Sequence, residues 1–175
     1  MPAMQADMTD GTMTQTRGFT LAEMLAVLAV ITILAMMAIP SYLDKVVRAQ
    51  IDAALPLADV AKGPVATYWA ATQTLPTNNE AAALPAADKV VNNYVSSVTV
   101  TDGAIHLTLG NRASKAVAGK ILTLRPAVVE DAPIVPITWV CGFAEPPEKM
   151  TVMGQNQTSV DPTYLPIECR TLKAS

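Results

Sequence analysis

The chain has 175 residues, a formal net charge of −3, two cysteines and one histidine, and 51% of its residues are hydrophobic. That length suits one globular domain with its own core. The charge balance gives no sign of a strongly basic nucleic-acid surface, and two cysteines with one histidine are too few donors for a structural zinc site.

Residues 1–18 are polar and carry Asp7, Asp10 and Arg17. From Phe19 to Ile39 the chain is apolar, broken only by Thr20, Glu23 and Thr32. A helix of about 20 residues rises about 30 Å, the thickness of a bilayer's hydrocarbon core. The run is too long for the apolar core of a removed secretory signal, and Pro40-Ser41-Tyr42 makes a poor cleavage exit. It is apolar on every face, which suits lipid better than one side of a soluble domain. A plain single-pass anchor fits the length but leaves Glu23 unexplained. Ionisable side chains inside such a segment are costly and are functional by default; the bland alternative is a carboxylate snorkelling to the headgroups.

From Leu43 to about Ala71 the helical pattern becomes amphipathic. Val46, Val47, Ile51, Ala54, Leu55, Ala58, Val65, Tyr68 and Trp69 fall to one side, while Asp44, Lys45, Arg48, Asp52, Asp59 and Lys62 keep the other wettable. Pro40, Pro56 and Pro64 should each bend or locally open this spine, and the latter two could break it. Beyond it, Val98–Thr101 and Ala104–Leu109 flank Asp102-Gly103, the composition of a two-residue hairpin turn. That register pairs Val100 with Ile105 and Val98 with Leu107 on an apolar face. It sets Thr99 opposite His106 on the wetter one, so His106 reads as a surface strand residue. Gly119–Val129 and Ile134–Phe143 are further strand candidates, limited by Pro126, Pro133 and Pro136 to pieces or edges. The fold class is α+β: a long N-terminal helical spine packed against an antiparallel sheet of about four strands.

No phosphate-binding glycine loop, metal-ligand cluster or nucleophile with a partner at a telling spacing is present, so the reading is not an enzyme and calls for no cofactor and no metal. Arg112, Lys115, Lys120 and Arg125 read as a solvated face that could meet DNA or an acidic partner. Asp131-Ala132-Pro133 and Asp161-Pro162 read as turns. Asn156-Gln157-Thr158 matches the acceptor pattern for asparagine glycosylation, a pattern short enough to occur by chance.

Arg17-Gly18-Phe19-Thr20-Leu21 followed by Glu23 resembles the processing and assembly signature of type IV prepilins. Similarity to the major pilins continues in Ala38–Tyr42, Val47–Gln50, Leu75–Asn79, Tyr94–Thr101 and Trp139–Cys141, and loosens beyond Gly110. The resemblance implies a leader at 1–18, a transmembrane and filament-core helix at 19–42, and a globular head at 43–175 with a disulfide-bounded loop at 141–169. A prepilin peptidase would cut between Gly18 and Phe19 and N-methylate Phe19. Glu23 would pair with the α-amino group of a neighbouring subunit, and the helix would kink at Pro40. The short, basic leaders common in the family are met better by a start at Met13, which drops both leader acids. In an exported head, Cys141 and Cys169 most simply form one disulfide, worth roughly 3–4 kcal/mol by chain entropy. The implied product is a pilus subunit serving adhesion, twitching motility or DNA uptake. It would be held in the inner membrane as a single-pass precursor with its head outward, then displayed in an extracellular filament. Implied partners are copies of itself and other pilins, the peptidase, the membrane, a pilus assembly platform, extension and retraction ATPases, and DNA or surface receptors. A minor pilin carrying a binding module and a type II secretion pseudopilin are the alternatives. The paired cysteines and the likeness through Asn93–Thr101 favour a true pilin.

Overall fold

The computed structural model describes residues 18–171 apart from 131 and 133. The leader before Gly18, the start at Met13 and the turn read at Asp131-Ala132-Pro133 lie outside the described residues. Two compact units divide between Pro40 and Ser41. In chain order the elements are α1 (Leu21–Ala54), a 3-10 turn (Leu55–Ala58), α2 (Asp59–Thr72) and five strands. These are β1 (Val95–Thr101), β2 (Ala104–Leu109), β3 (Ile121–Val128), β4 (Thr138–Cys141) and β5 (Thr151–Val152).

The first unit holds the apolar part of α1. Every side chain from Leu21 to Ala38 is exposed, with Leu25 at 60% and Met37 at 74%. A helix apolar all round is a membrane or buried element, and α1 with α2 includes a window long and apolar enough to cross a bilayer. Thr32 donates its hydroxyl to the Leu28 carbonyl at 2.7 Å, so this polar group is satisfied within the helix.

In the second unit α1 continues and buries a stripe. Val47, Ile51, Ala54, Ala58, Ala61 and Val65 recur at steps of four and three and are at most 4% exposed. This is the spacing of one helical face, and its alanines let the sheet approach closely. Pro56 sits in the 3-10 turn, where it has no N–H to donate to an α-helical bond and a tighter turn takes over. Pro64 lies inside α2, which continues past it. One proline therefore changes the helix type and the other is absorbed.

The sheet is antiparallel in the order β1-β2-β3-β4, with β5 pairing β3. The β1–β2 hairpin has the predicted register, Val98 with Leu107, Thr99 with His106 and Val100 with Ile105. Asp102 and Gly103 both take positive φ, 47° and 78°, as a turn whose twist matches the strands requires. Val98, Val100, Ile105, Leu107, Leu122 and Leu124 face the helical stripe in one core cluster. The third and fourth strand regions are shorter than their candidate segments. Pro126 lies within β3 just past the last β2 partner, since β2 pairs only Ile121 to Leu124, so it removes no bond from that ladder. Pro136 precedes β4.

Asparagines close the free edge of β1. Asn79 donates to the Val98 carbonyl at 3.0 Å and accepts from the Val100 N–H at 2.6 Å, while Asn111 donates to the Val95 carbonyl at 2.8 Å. Side chains thus occupy backbone groups that would otherwise template another strand.

One expectation is corrected. His106 is buried, at 4% exposure, not on a wet face. The reason lies 50 residues on. Beyond β4 the chain forms β5 in line with the start of β2, then crosses the outer face of the sheet. Gly154 packs on Ala104, the Gln157 N–H donates to Thr123 Oγ1 at 3.1 Å, and Ser159 exchanges hydrogen bonds with Ile121 on the far edge of β3. His106 lies between Ala104 and Thr123 beneath that crossing.

Leu107→Ala, which removes a fully buried side chain, should cost about 2–5 kcal/mol. Leu43→Ala, at a half-exposed position of α1, should change stability by less than about 0.5 kcal/mol. Urea denaturation of the two variants in the same detergent reads the difference.

Candidate assembly site

The start of α1 brings together the residues that the sequence singled out at the front. Gly18, Phe19 and Thr20 precede the helix, and the bond between Gly18 and Phe19 lies in non-helical backbone. Phe19 is 80% exposed. Its chain neighbours aside, no atom of the described residues lies within 4 Å of where a Cβ on Gly18 would sit, so the described structure does not itself demand a glycine there.

Glu23 is in the first helical turn and Thr20 caps it. The Thr20 N–H and hydroxyl donate to Glu23 Oε2 at 2.8 and 2.9 Å, and the Glu23 N–H donates back to Thr20 Oγ1 at 3.2 Å. This is a reciprocal capping box, and a carboxylate here is also favoured by the positive end of the helix dipole. Glu23 thus accepts hydrogen bonds within its own chain, with both Thr20 hydrogens on Oε2 and none on Oε1 among the described residues. Thr20 went unassigned in the sequence reading, although Thr20-Leu21-Ala22-Glu23 carries the S/T-x-x-E signal that would have found it. Pro40 lies within the helical run of α1.

The second expected site feature is also present. Cys141 and Cys169 are disulfide-bonded with Cα atoms 4.6 Å apart. The bond ties the end of β4 to a short 3-10 turn at Ile167–Cys169. Gly142 follows with φ +55°, and a Cβ on it would meet the Cys169 carbonyl at 2.7 Å. Glycine is needed here both for conformation and for close approach. Within the bridged segment, Asn156 donates to the Gly142 carbonyl at 2.8 Å and accepts from the Thr158 N–H at 3.1 Å. The glycosylation-pattern asparagine therefore has a structural task. Asp161 accepts from Thr163, which holds its carboxyl below the usual range.

Arg112, Lys115 and Lys120 are exposed, as expected of a solvated face, whereas Arg125 is half-buried. None of the four belongs to an ion pair among the described residues; the pairs present are Lys62–Asp59 at 2.7 Å and Lys89–Asp88 at 3.4 Å. No group of three or more His, Cys, Asp or Glu side chains is placed to hold a metal among the described residues.

An exposed apolar helix with a capped acid in its first turn, followed by a helical stripe under a five-stranded antiparallel sheet with a disulfide-bounded segment, defines an α+β class of protein built on a long N-terminal helix. Residues 13–39 match the prokaryotic N-terminal methylation motif, and residues 47–170 match the pilin family of bacterial filament proteins. The fimbrial protein EcpC of Eikenella corrodens is 34% identical over 88% of this chain and 90% of its own length. The type IV major pilin protein PilE1 of Neisseria gonorrhoeae is 32% identical over 88% and 87%. A fimbrial protein of Neisseria meningitidis serogroup A is 30% identical over 88% and 94%. The chain belongs to the pilin family.

Removing the bridge with Cys141→Ser and Cys169→Ser together should lower stability by roughly 3 kcal/mol. The expected readout is a lower urea midpoint. Proteolysis should become faster within residues 144–168, and the strands should be cut no earlier than in the parent.

Proposed function

We propose that this protein is the major structural subunit of a type IV pilus, processed between Gly18 and Phe19 and polymerised through its apolar helix. The observation that carries the reading is the coincidence at one place of the methylation motif, a fully exposed apolar helix and a capped carboxylate at that helix's start. Relatives that are named type IV major pilins and span nearly the whole chain support the same role.

The chemistry follows from these positions. Gly18 is uncrowded and non-helical, so a peptidase reaches its carbonyl without unwinding α1. Cleavage leaves a free α-amino group on Phe19, which the same enzyme methylates. The Thr20 N–H belongs to the bond after Phe19, so the cap on Glu23 survives. Oε1 stays available to an ammonium from a neighbouring subunit, and the match of charges sets axial register in a medium where an unpaired carboxylate costs a few kcal/mol. Exposed apolar side chains from Leu21 onward supply the cohesion. In the filament Pro40, with no N–H to donate, is where α1 bends or opens. The precursor sits in the inner membrane with the head outward and is handled there by the assembly platform and its ATPases. Nothing in this role calls for catalysis by the subunit itself.

Filaments sheared from the native organism should consist chiefly of a chain that begins at methylated Phe19 and is two hydrogens lighter than the reduced form by intact mass. Cleaved chain found only in trace amounts would point to a minor pilin, and cleaved chain confined to the membrane fraction to a pseudopilin. Uncleaved chain in the membrane would leave only a plain anchor. Glu23→Ala should be processed normally yet give at least about tenfold fewer filaments, because a lost pairing in lipid is worth more than about 1.4 kcal/mol. Counting filaments by electron microscopy at equal membrane levels of subunit checks it.

A further inference from the structure

The outer face of the sheet holds a buried polar chain that the assembly reading does not use. The Gln157 N–H donates to Thr123 Oγ1 at 3.1 Å, and Thr123 Oγ1 lies 3.0 Å from His106 Nδ1. In the Nε2–H tautomer of the neutral ring, the Thr123 hydroxyl donates to Nδ1 while its oxygen takes the Gln157 N–H, so each group is used once in one direction. Thr158 extends the contact by accepting the Thr123 N–H at 3.1 Å. This is where the disulfide-bounded segment is held against the sheet between Gly154 on Ala104 and Ser159 on Ile121.

A protonated ring breaks this arrangement and puts a charge at a buried site. Nδ1–H would point at the Thr123 oxygen and turn its hydroxyl away from its only ring acceptor. Nε2 is buried and has no hydrogen-bond partner, so its proton would be unsatisfied in either case. Among the described residues no anion on this face offsets the charge. The register brings Thr99 from β1, Thr123 from β3 and, one step along, Arg125, itself a cation. The crossing residues Met153 to Ser159 contribute no titratable side chain, and the nearest acid in the hairpin turn, Asp102, meets Gly154 through its backbone carbonyl.

We propose that His106 and Thr123 form a pH-sensitive latch that docks residues 154–158 onto the sheet near neutral pH and releases them on acidification. Burial holds the His106 imidazole below its ordinary value. Undocking returns the ring to water and to a value of about 6.5. The open state therefore binds more protons than the docked one. Docking is at full strength above about pH 6.5 and weakens as pH falls, until the lowered value of the docked ring is reached. The opening equilibrium rises by up to about tenfold per pH unit across that window. The disulfide keeps the released segment tethered at both ends, so opening is local. The inference concerns the head alone and does not depend on how filaments assemble.

The test is hydrogen exchange of full-length protein in detergent between pH 7.5 and 5.5, corrected for intrinsic exchange and followed in peptides spanning residues 153–160. Protection there should fall by up to about tenfold per unit below pH 6.5, while peptides from β1 to β3 keep theirs. In His106→Gln and His106→Phe the segment's protection should be independent of pH. Unchanging protection in the parent, or the same loss in both variants, would overturn the latch. Should the variants fail to fold, the ring itself decides. It is the only histidine, so its proton resonance titrates alone, and a midpoint at or above about 6.5 in the folded parent would refute the proposal.

Discussion

The head depends on the contact between one helical stripe and one sheet face. Val47, Ile51, Ala54, Ala58, Ala61 and Val65 meet Val98, Val100, Ile105, Leu107, Leu122 and Leu124 in a single cluster. Each fully buried valine, isoleucine or leucine contributes roughly 1.5–3 kcal/mol, and among the described residues no other apolar layer of comparable extent is present in this unit. The change from α1 through a 3-10 turn to α2 leaves that stripe intact, because Ala54, Ala58 and Ala61 keep their places on it. Helix type can vary locally as long as the buried face is conserved along the axis.

The sheet's other face and its edges are finished by polar means. Asn79 and Asn111 occupy the free groups of β1, and the bridged segment crosses β2 and β3 before closing the exposed part of β3. A segment with little apolar material is thereby held by hydrogen bonds within a covalent loop. Such an attachment is weaker and more sensitive to solvent conditions than core packing, because its bonds compete with water when it opens.

At the other end of the chain the problem is inverted. Every side chain of α1 from Leu21 to Ala38 is exposed, and among the described residues its one carboxylate accepts hydrogen bonds from Thr20 alone. The carboxylate thus has hydrogen-bond donors from its own chain, while its charge and its second oxygen stay unpaired among the described residues. Head and helix solve separate solvent problems. The exposed apolar side chains of the helix suit an apolar medium, and the packed head suits water.

The sequence by itself determined what depends on near neighbours. Helical spacing marks the stripe, Asp102-Gly103 sets the hairpin register to the residue, and the apolar run with Glu23 marks the helix whose side chains are left exposed. The cap at Thr20 was equally local and was legible in its four-residue pattern, though it went unread. Tertiary structure decided what depends on contacts from far along the chain. His106 alternates with apolar residues as a solvent-facing strand residue would, and nothing nearby contradicts that. It is buried because residues 154–158 return across it, held by a disulfide and by Thr123. Periodicity reports which face of a strand a side chain is on; whether that face is wet depends on what the rest of the chain lays over it.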